Sequence, residues 1–267
     1  MRWIAAAALL SLGLNPCAAS AAAGERETLR FEINQQNREV LLYAPSSVTA
    51  LTPLIVIYHG RGDDAEPFAR AVKLHRDWPE AVVAYPRGEW HENRPQRGWQ
   101  YRAGQYEDRD LKLTDALLTE LATRYPIAPT QRHAAGFSNG GHFLFLLLKQ
   151  RPQEFASYTI IGAVQPKFES DAAPRPLLYL FGRGEDRHLQ EEWQATVLSL
   201  IRHQRTGGDL LDALGCCKRQ RVMAGGAPLV FGTYNAGHIW PADGNRWIKQ
   251  FVADPWFLSS KAERKAR

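Results

Sequence analysis

Polar and apolar residues alternate over Thr28 to Ile33 and again over Arg38 to Ala44, and the polar stretch Asn34-Gln35-Gln36-Asn37 between them predicts a hairpin at a sheet edge. Beyond it the pattern changes. Leu54-Ile55-Val56-Ile57-Tyr58 is continuously apolar, too short for a helix and bounded by Pro53 and Gly60, as strands buried on both faces are. Ala81 to Tyr85, Tyr158 to Ile161 and Leu177 to Phe181 repeat that character, Arg132 to Gly136 does so more weakly, and Leu229 to Tyr234 is strand-like. Helix-length segments lie between them. Asp110 to Tyr125 spaces Leu113, Leu117 and Leu121 at helical intervals, and Glu191 to His203 and Arg246 to Val252 have similar stripes. Strands alternating with helices predict an α/β fold: a mostly parallel central sheet with helices on both faces.

Two segments stand apart. Arg2 followed by the apolar run Trp3 to Leu14 and the small-residue stretch Ala18 to Ala23 has the layout of a cleavable secretory signal, shorter than a bilayer span. This predicts a signal peptide over residues 1–23, a single domain over 24–267, and a secreted or periplasmic protein with no stable membrane insertion. Leu14-Asn15-Pro16-Cys17 is only faintly like a lipidation site, since Pro16 stands where a small residue is wanted. The other segment, Arg87 to Arg109, is long, polar and rich in aromatics, and reads as either a functional loop or a packed surface loop that holds no ligand.

Composition narrows the classes. At 45% hydrophobic and 23% charged residues the chain is neither disordered nor membrane-spanning. The net charge of +5 and the basic run from Lys261 to Arg267 are read as a solvated tail, with no nucleic-acid partner expected. Removal of the signal leaves Cys216 and Cys217, adjacent residues for which an ordinary unstrained bridge is not expected; with no other cysteine, no thiolate metal site is expected either.

The chemistry concentrates in a few short blocks. Gly136-Phe137-Ser138-Asn139-Gly140 matches G-x-S-x-G between a strand-like run and the helix-like Gly141 to Leu148, the context of a nucleophile elbow. A serine hydroxyl needs a base, and His238 follows the strand Leu229 to Tyr234 and precedes the last helix. His75, His91, His188 and His203 lie in polar stretches where a solvated role is the default, and His133 is read as structural. The acid that orients the base should follow a strand between these two, and Asp186 is the choice there, with its neighbour Glu185 as rival. Ser, acid, His is the α/β-hydrolase order. His59-Gly60-Arg61-Gly62 follows another strand, so the Arg61 and Asn139 amides are the expected oxyanion donors. Trp90, Trp99, Tyr101 and Trp240 are the candidate walls of the substrate pocket.

These blocks, above all Gly-Phe-Ser-Asn-Gly-Gly at 136–141 and Gly-His-x-Trp-Pro at 237–241, resemble the poly(3-hydroxybutyrate) depolymerase-like and feruloyl esterase-like α/β-hydrolases. The likeness runs from Pro53 to about Pro241. It implies secreted carboxylesterase activity without a cofactor and a Ser-Asp-His triad carried onto Ser138, Asp186 and His238. Counted strictly, the family's acid loop lands on Glu185; cysteines that brace the site in many relatives are missing; and there is no room for a polymer-binding module. The expected partner is an ester, from a polymer or a small molecule. A peptidase or acyltransferase of the same fold, and a polymer-binding accessory protein with a disused triad, are the alternatives.

Overall fold

The computed structural model describes residues 25–91 and 94–254. The expected signal segment, Cys17 and the basic C-terminal run lie outside the described residues.

The chain opens with the antiparallel pair β1 (Glu25–Ile33) and β2 (Gln36–Ala44), closed by Asn34 and Gln35 in the left-handed region. The buried strands follow: β3 (Leu54–Tyr58), then helices α1 (Ala65–Val72) and α2 (Leu74–Asp77), then β4 (Val82–Pro86). The segment from Arg87 to Arg109, expected to be neither strand nor helix, contains the small two-stranded unit β5 (Glu89–His91) and β6 (Arg94–Gly98) and a short 3-10 turn. Helix α3 (Arg109–Arg124), β7 (Arg132–Phe137), α4 (Asn139–Gln150), β8 (Ser157–Ile161), β9 (Leu177–Gly182) and α5 (Arg187–Gln204) come next. The last elements are β10 (Thr206–Ala213), β11 (Cys217–Val222), β12 (Leu229–Tyr234) and α6 (Gly244–Ala253).

Ten strands form one sheet in the order β1-β2-β4-β3-β7-β8-β9-β12-β11-β10. The six from β4 to β12 in that order are parallel, and antiparallel pairs flank them at both edges. The uninterrupted apolar runs are explained by burial from two sides. Val56, Tyr58, Ala134 and Tyr179 pack with apolar residues of α3, α4 and α5, whereas Ile55, Ile57, Val83 and Leu180 face the side covered by α1, α2 and α6. This is the α/β-hydrolase architecture, and the parallel strands bring their C-terminal ends, where functional loops of open α/β sheets lie, to one rim. Among the described residues no helix is long and apolar enough to cross a membrane.

Strands β10 and β11 have no counterpart in the sequence reading, because Gly207, Gly208 and the charged residues around them break the alternation that marks a strand. At their turn the expectation for the cysteines is corrected. Cys216 and Cys217 are joined by a disulfide across a Cα separation of 3.7 Å, below the range usual for bridged cysteines. The preceding Leu214 and Gly215 both take positive φ, so the tight turn brings the neighbouring side chains to one side.

Candidate active site

Ser138 sits where β7 turns into α4, with φ 53° and ψ −115°, a conformation costly for a residue with a side chain. Two glycines permit it. A Cβ on Gly136 would stand 2.5 Å from the Gly140 carbonyl oxygen, and one on Gly140 would stand 2.2 Å from that of Tyr58. The Ser138 amide donates to the Ile161 carbonyl at 2.8 Å, which ties the elbow to the end of β8.

The serine hydroxyl lies 2.7 Å from Nε2 of His238. On the other side of that ring, Nδ1 lies 2.6 Å from Oε1 of Glu185. A carboxylate there accepts from Nδ1–H, so the proton is held on that nitrogen and Nε2 is left as the acceptor facing the hydroxyl. The Glu185 side chain is 7% exposed and that of His238 46%, so the charge is sheltered while the base faces solvent. The imidazole leans on Phe137, with ring centroids 5.0 Å apart. Backbone bonds from Arg183 to the Tyr234 carbonyl and from Gly184 to the Ala236 carbonyl, both 2.8 Å, lace the acid loop to the histidine loop.

Asp186 is not brought to His238. Its φ of −63° and ψ of 163° make it the N-cap of α5, and its carboxylate accepts from the Leu189 amide at 2.9 Å. A capping side chain must fold toward the first turn of its helix, so the residue before it is the one aimed at the imidazole. The strict loop count points to Glu185, and the structure agrees with that count.

The expected oxyanion loop and Asn139 are braced by long-range contacts that the sequence does not show. His59 is buried, donates from Nδ1 to the Gly60 carbonyl at 2.7 Å and accepts the Gly88 amide at Nε2, 2.9 Å away; burial holds its pKa below the ordinary value, so it stays neutral. The Gly62 amide donates to the Arg97 carbonyl at 2.9 Å, which fixes the β3 loop to β6. Asn139 clamps the backbone of Trp99 from both sides: Oδ1 accepts the Trp99 amide at 2.7 Å and Nδ2 donates to its carbonyl at 3.2 Å. Asn139 directly follows Ser138, and Gly60, the neighbour of Arg61, lies against the serine: a Cβ built on it would be 3.5 Å from Cβ of Ser138.

Of the four expected pocket walls, Tyr101 stands near the elbow, one residue removed from Ser138. Its ring stands edge-on to His142, centroids 5.7 Å apart, and His142 donates from Nδ1 to the Ser138 carbonyl at 3.0 Å. Trp99 is corrected from wall to core: it is fully buried, stacked on Phe143, with its indole N–H on the His59 carbonyl at 2.9 Å. Trp240 packs edge-on to Phe68 and donates to Asn245, bracing the histidine loop from beneath. Trp90 is half-exposed on β5, where the Arg97 guanidinium lies 4.7 Å from its ring. The aromatic segment is held by a buried ion pair that no short motif announced. Arg38 of β2 donates to Asp110 at 2.8 Å, and Asp110 accepts the Gln100 amide at 2.8 Å. His75, expected in solvent, is buried and stacked on Tyr43, 3.8 Å between ring centroids. Among the described residues no cluster of histidine, cysteine and carboxylates suits a metal ion.

A serine, a histidine and a glutamate in hydrogen-bonded series at the C-terminal rim of a parallel sheet accord with the family comparison, in which the Esterase family, described as "Putative esterase", matches residues 32–258. The chain belongs to the Esterase family. A bifunctional acetylxylan esterase/xylanase of Neocallimastix patriciarum is 24% identical over 154 residues, which cover 56% of this chain and 22% of that much longer protein. An acetyl xylan esterase from Aspergillus awamori superposes with a TM-score of 0.64 at 12% identity, over 85% of this chain and 98% of that one. A ferulic acid esterase gives a TM-score of 0.61 at 13% identity, over 85% and 97%. At such identities the solved structures establish the α/β-hydrolase fold of this Esterase-family chain.

Proposed function

We propose that this member of the Esterase family is an exported serine carboxylesterase that cleaves acyl decorations, acetyl or feruloyl, or hydroxyalkanoate ester links, through an acyl-serine intermediate. The observation that carries the reading is the unbroken series from Ser138 through His238 to Glu185, with 2.7 and 2.6 Å contacts. In the first half-reaction His238 takes the Ser138 proton as Oγ attacks the ester carbonyl, Glu185 stabilises the imidazolium, and the Arg61 and Asn139 amides hold the oxyanion. The imidazolium then protonates the departing alcohol. In the second half-reaction His238 activates water, which releases the acid and restores the serine.

Acetylxylan esterase and ferulic acid esterase are names borne by similar proteins, and they support acyl groups on polysaccharide as the first substrates to try. Export rests on the charged start, apolar run and small residues of 1–23, and the Cys216–Cys217 disulfide suits an oxidising compartment. The test is hydrolysis of para-nitrophenyl acetate and butyrate, acetylated xylan, methyl ferulate and hydroxybutyrate oligomers by the chain beginning at Gly24, beside S138A. Turnover that vanishes in the variant supports the reading; equal rates in both overturn it. N-terminal sequencing of protein recovered outside the cytoplasm is expected to begin after Ala21 or Ala23, and an intact Met1 there overturns export by cleavage.

A further inference from the structure

We infer that the Arg61 guanidinium is a carboxylate-recognition group at the mouth of the site, so that the preferred ester carries a free carboxylate of its own. The inference rests on the esterase reading and names the chemical class of its substrate.

Position comes first. Gly60 lies against the nucleophile, since a Cβ built on it would be 3.5 Å from Cβ of Ser138, and Arg61 is the next residue, with its side chain exposed. That side chain is not left to wander. It donates to the Tyr101 hydroxyl and lies 5.6 Å from the centre of the Tyr101 ring. The ring stands edge-on to His142, which is bonded to the backbone carbonyl of Ser138, so the guanidinium is tied through two aromatic rings to the residue that carries the nucleophile.

Charge comes second. Arg38, Arg87, Arg97, Arg124 and Arg151 each sit against a carboxylate. Among the described residues Arg61 has no such partner, only a neutral phenol. Asp63, nearest in sequence, turns its carboxylate to the Asp64 amide at 2.8 Å, and Glu185 is sheltered behind His238. A planar fork of N–H donors held by one neutral contact keeps its remaining donors for a carboxylate, which it can grip bidentately where an ammonium would act as a point charge. Across the site, Arg183 is also exposed and bonds the Thr233 hydroxyl at 3.2 and 3.3 Å, adding positive field of the same sign.

The experiment uses two pairs of esters that differ in one charge. Para-nitrophenyl hydrogen adipate against its methyl ester places the carboxylate on the acyl side, and para-acetoxybenzoate against methyl para-acetoxybenzoate places it on the alcohol side. The quantity read is the ratio of kcat/KM within a pair, so that any general effect of a substitution in the oxyanion loop cancels. In the wild type the acid member of one pair is expected to be favoured about tenfold, through KM, and that pair identifies the side on which the carboxylate sits. R61Q should bring the ratio to about one, R61K should recover part of it, Y101F should reduce it, and R30Q, which removes a distant charge, should leave it as in the wild type. Neutral esters cleaved with no preference in either pair, or a preference that survives R61Q, overturn this inference alone. Failure to cleave any of the four, together with no labelling of Ser138 by a fluorophosphonate, overturns the esterase reading beneath it.

Discussion

The two halves of the site are held in different ways. Around the nucleophile, the Gly60–Arg61 loop and Asn139 are clamped by buried groups: neutral His59, the Trp99 backbone and, behind it, the Arg38–Asp110 pair. On the other side, His238 and Glu185 ride on two surface loops joined by a few backbone bonds, with half of the imidazole in solvent. In the proposed mechanism the first half supplies the oxyanion donors and gains from rigidity, because donors that reorganise give up their advantage over water. In the proposed mechanism the histidine serves Ser138, the leaving alcohol and water in turn, and a looser seat suits that.

The largest effects should come from breaking the series itself. S138A and H238A are each expected to lower kcat by about 10⁵–10⁶-fold, and the double variant no further, as measured on para-nitrophenyl acetate. Next is the choice between neighbours. E185Q should cost roughly 10³–10⁴-fold in kcat, because the amide no longer fixes the imidazole tautomer, whereas D186N should keep kcat within a few-fold and lower stability by no more than about 1 kcal/mol through the helix cap. Equal losses would show that both loops depend on the cap rather than on the carboxylate at Nδ1.

A third pair compares clamp with surface. W99A should destabilise the fold by about 3–5 kcal/mol in chemical denaturation and lower kcat through the loosened Asn139, while W90A, which gives up only a stack with Arg97, should cost about 1 kcal/mol or less. If W90A raises KM sharply with stability unchanged, Trp90 returns to the pocket wall.

The smallest expected effect concerns acid. His133 is fully buried beside Ser157, and burial lowers its pKa to about 3. His75 is pushed down to about 4, first by burial and then by Arg76. Both are depressed bases, so the unfolded chain binds their protons first: the stability they contribute is complete above about pH 6.5 and is lost as pH falls toward 4 and then 3. Denaturant midpoints measured from pH 7 to pH 4 should fall, and H133Q should flatten part of that slope. An unchanged slope in H133Q would mean that the acid sensitivity lies elsewhere.

The hydrophobic pattern and short motifs of the sequence determined a good deal. Apolar runs marked the parallel strands, because a strand covered on both faces has few polar positions, and those it keeps, such as His133 and Ser157, are paired. Gly136, Gly140 and Ser138 announced the elbow, because the turn admits no side chain at either glycine. His238 was legible from its place after a strand. The tertiary structure alone decided the rest. Which of two adjacent acids meets the imidazole depended on which one a helix took as its cap, and whether an aromatic lines a pocket or fills the core depended on packing partners forty residues away. The partners of His59 and Asn139, and the Arg38–Asp110 pair as a whole, carry no local signature, since these contacts join distant segments. The cysteine pair closed because the turn before it bends sharply, and Arg61 stands out because the fold sets it beside the Ser138 loop with a phenol and no carboxylate for a partner. Local sequence fixes what a segment can be; what a side chain meets is set by the segments that pack against it.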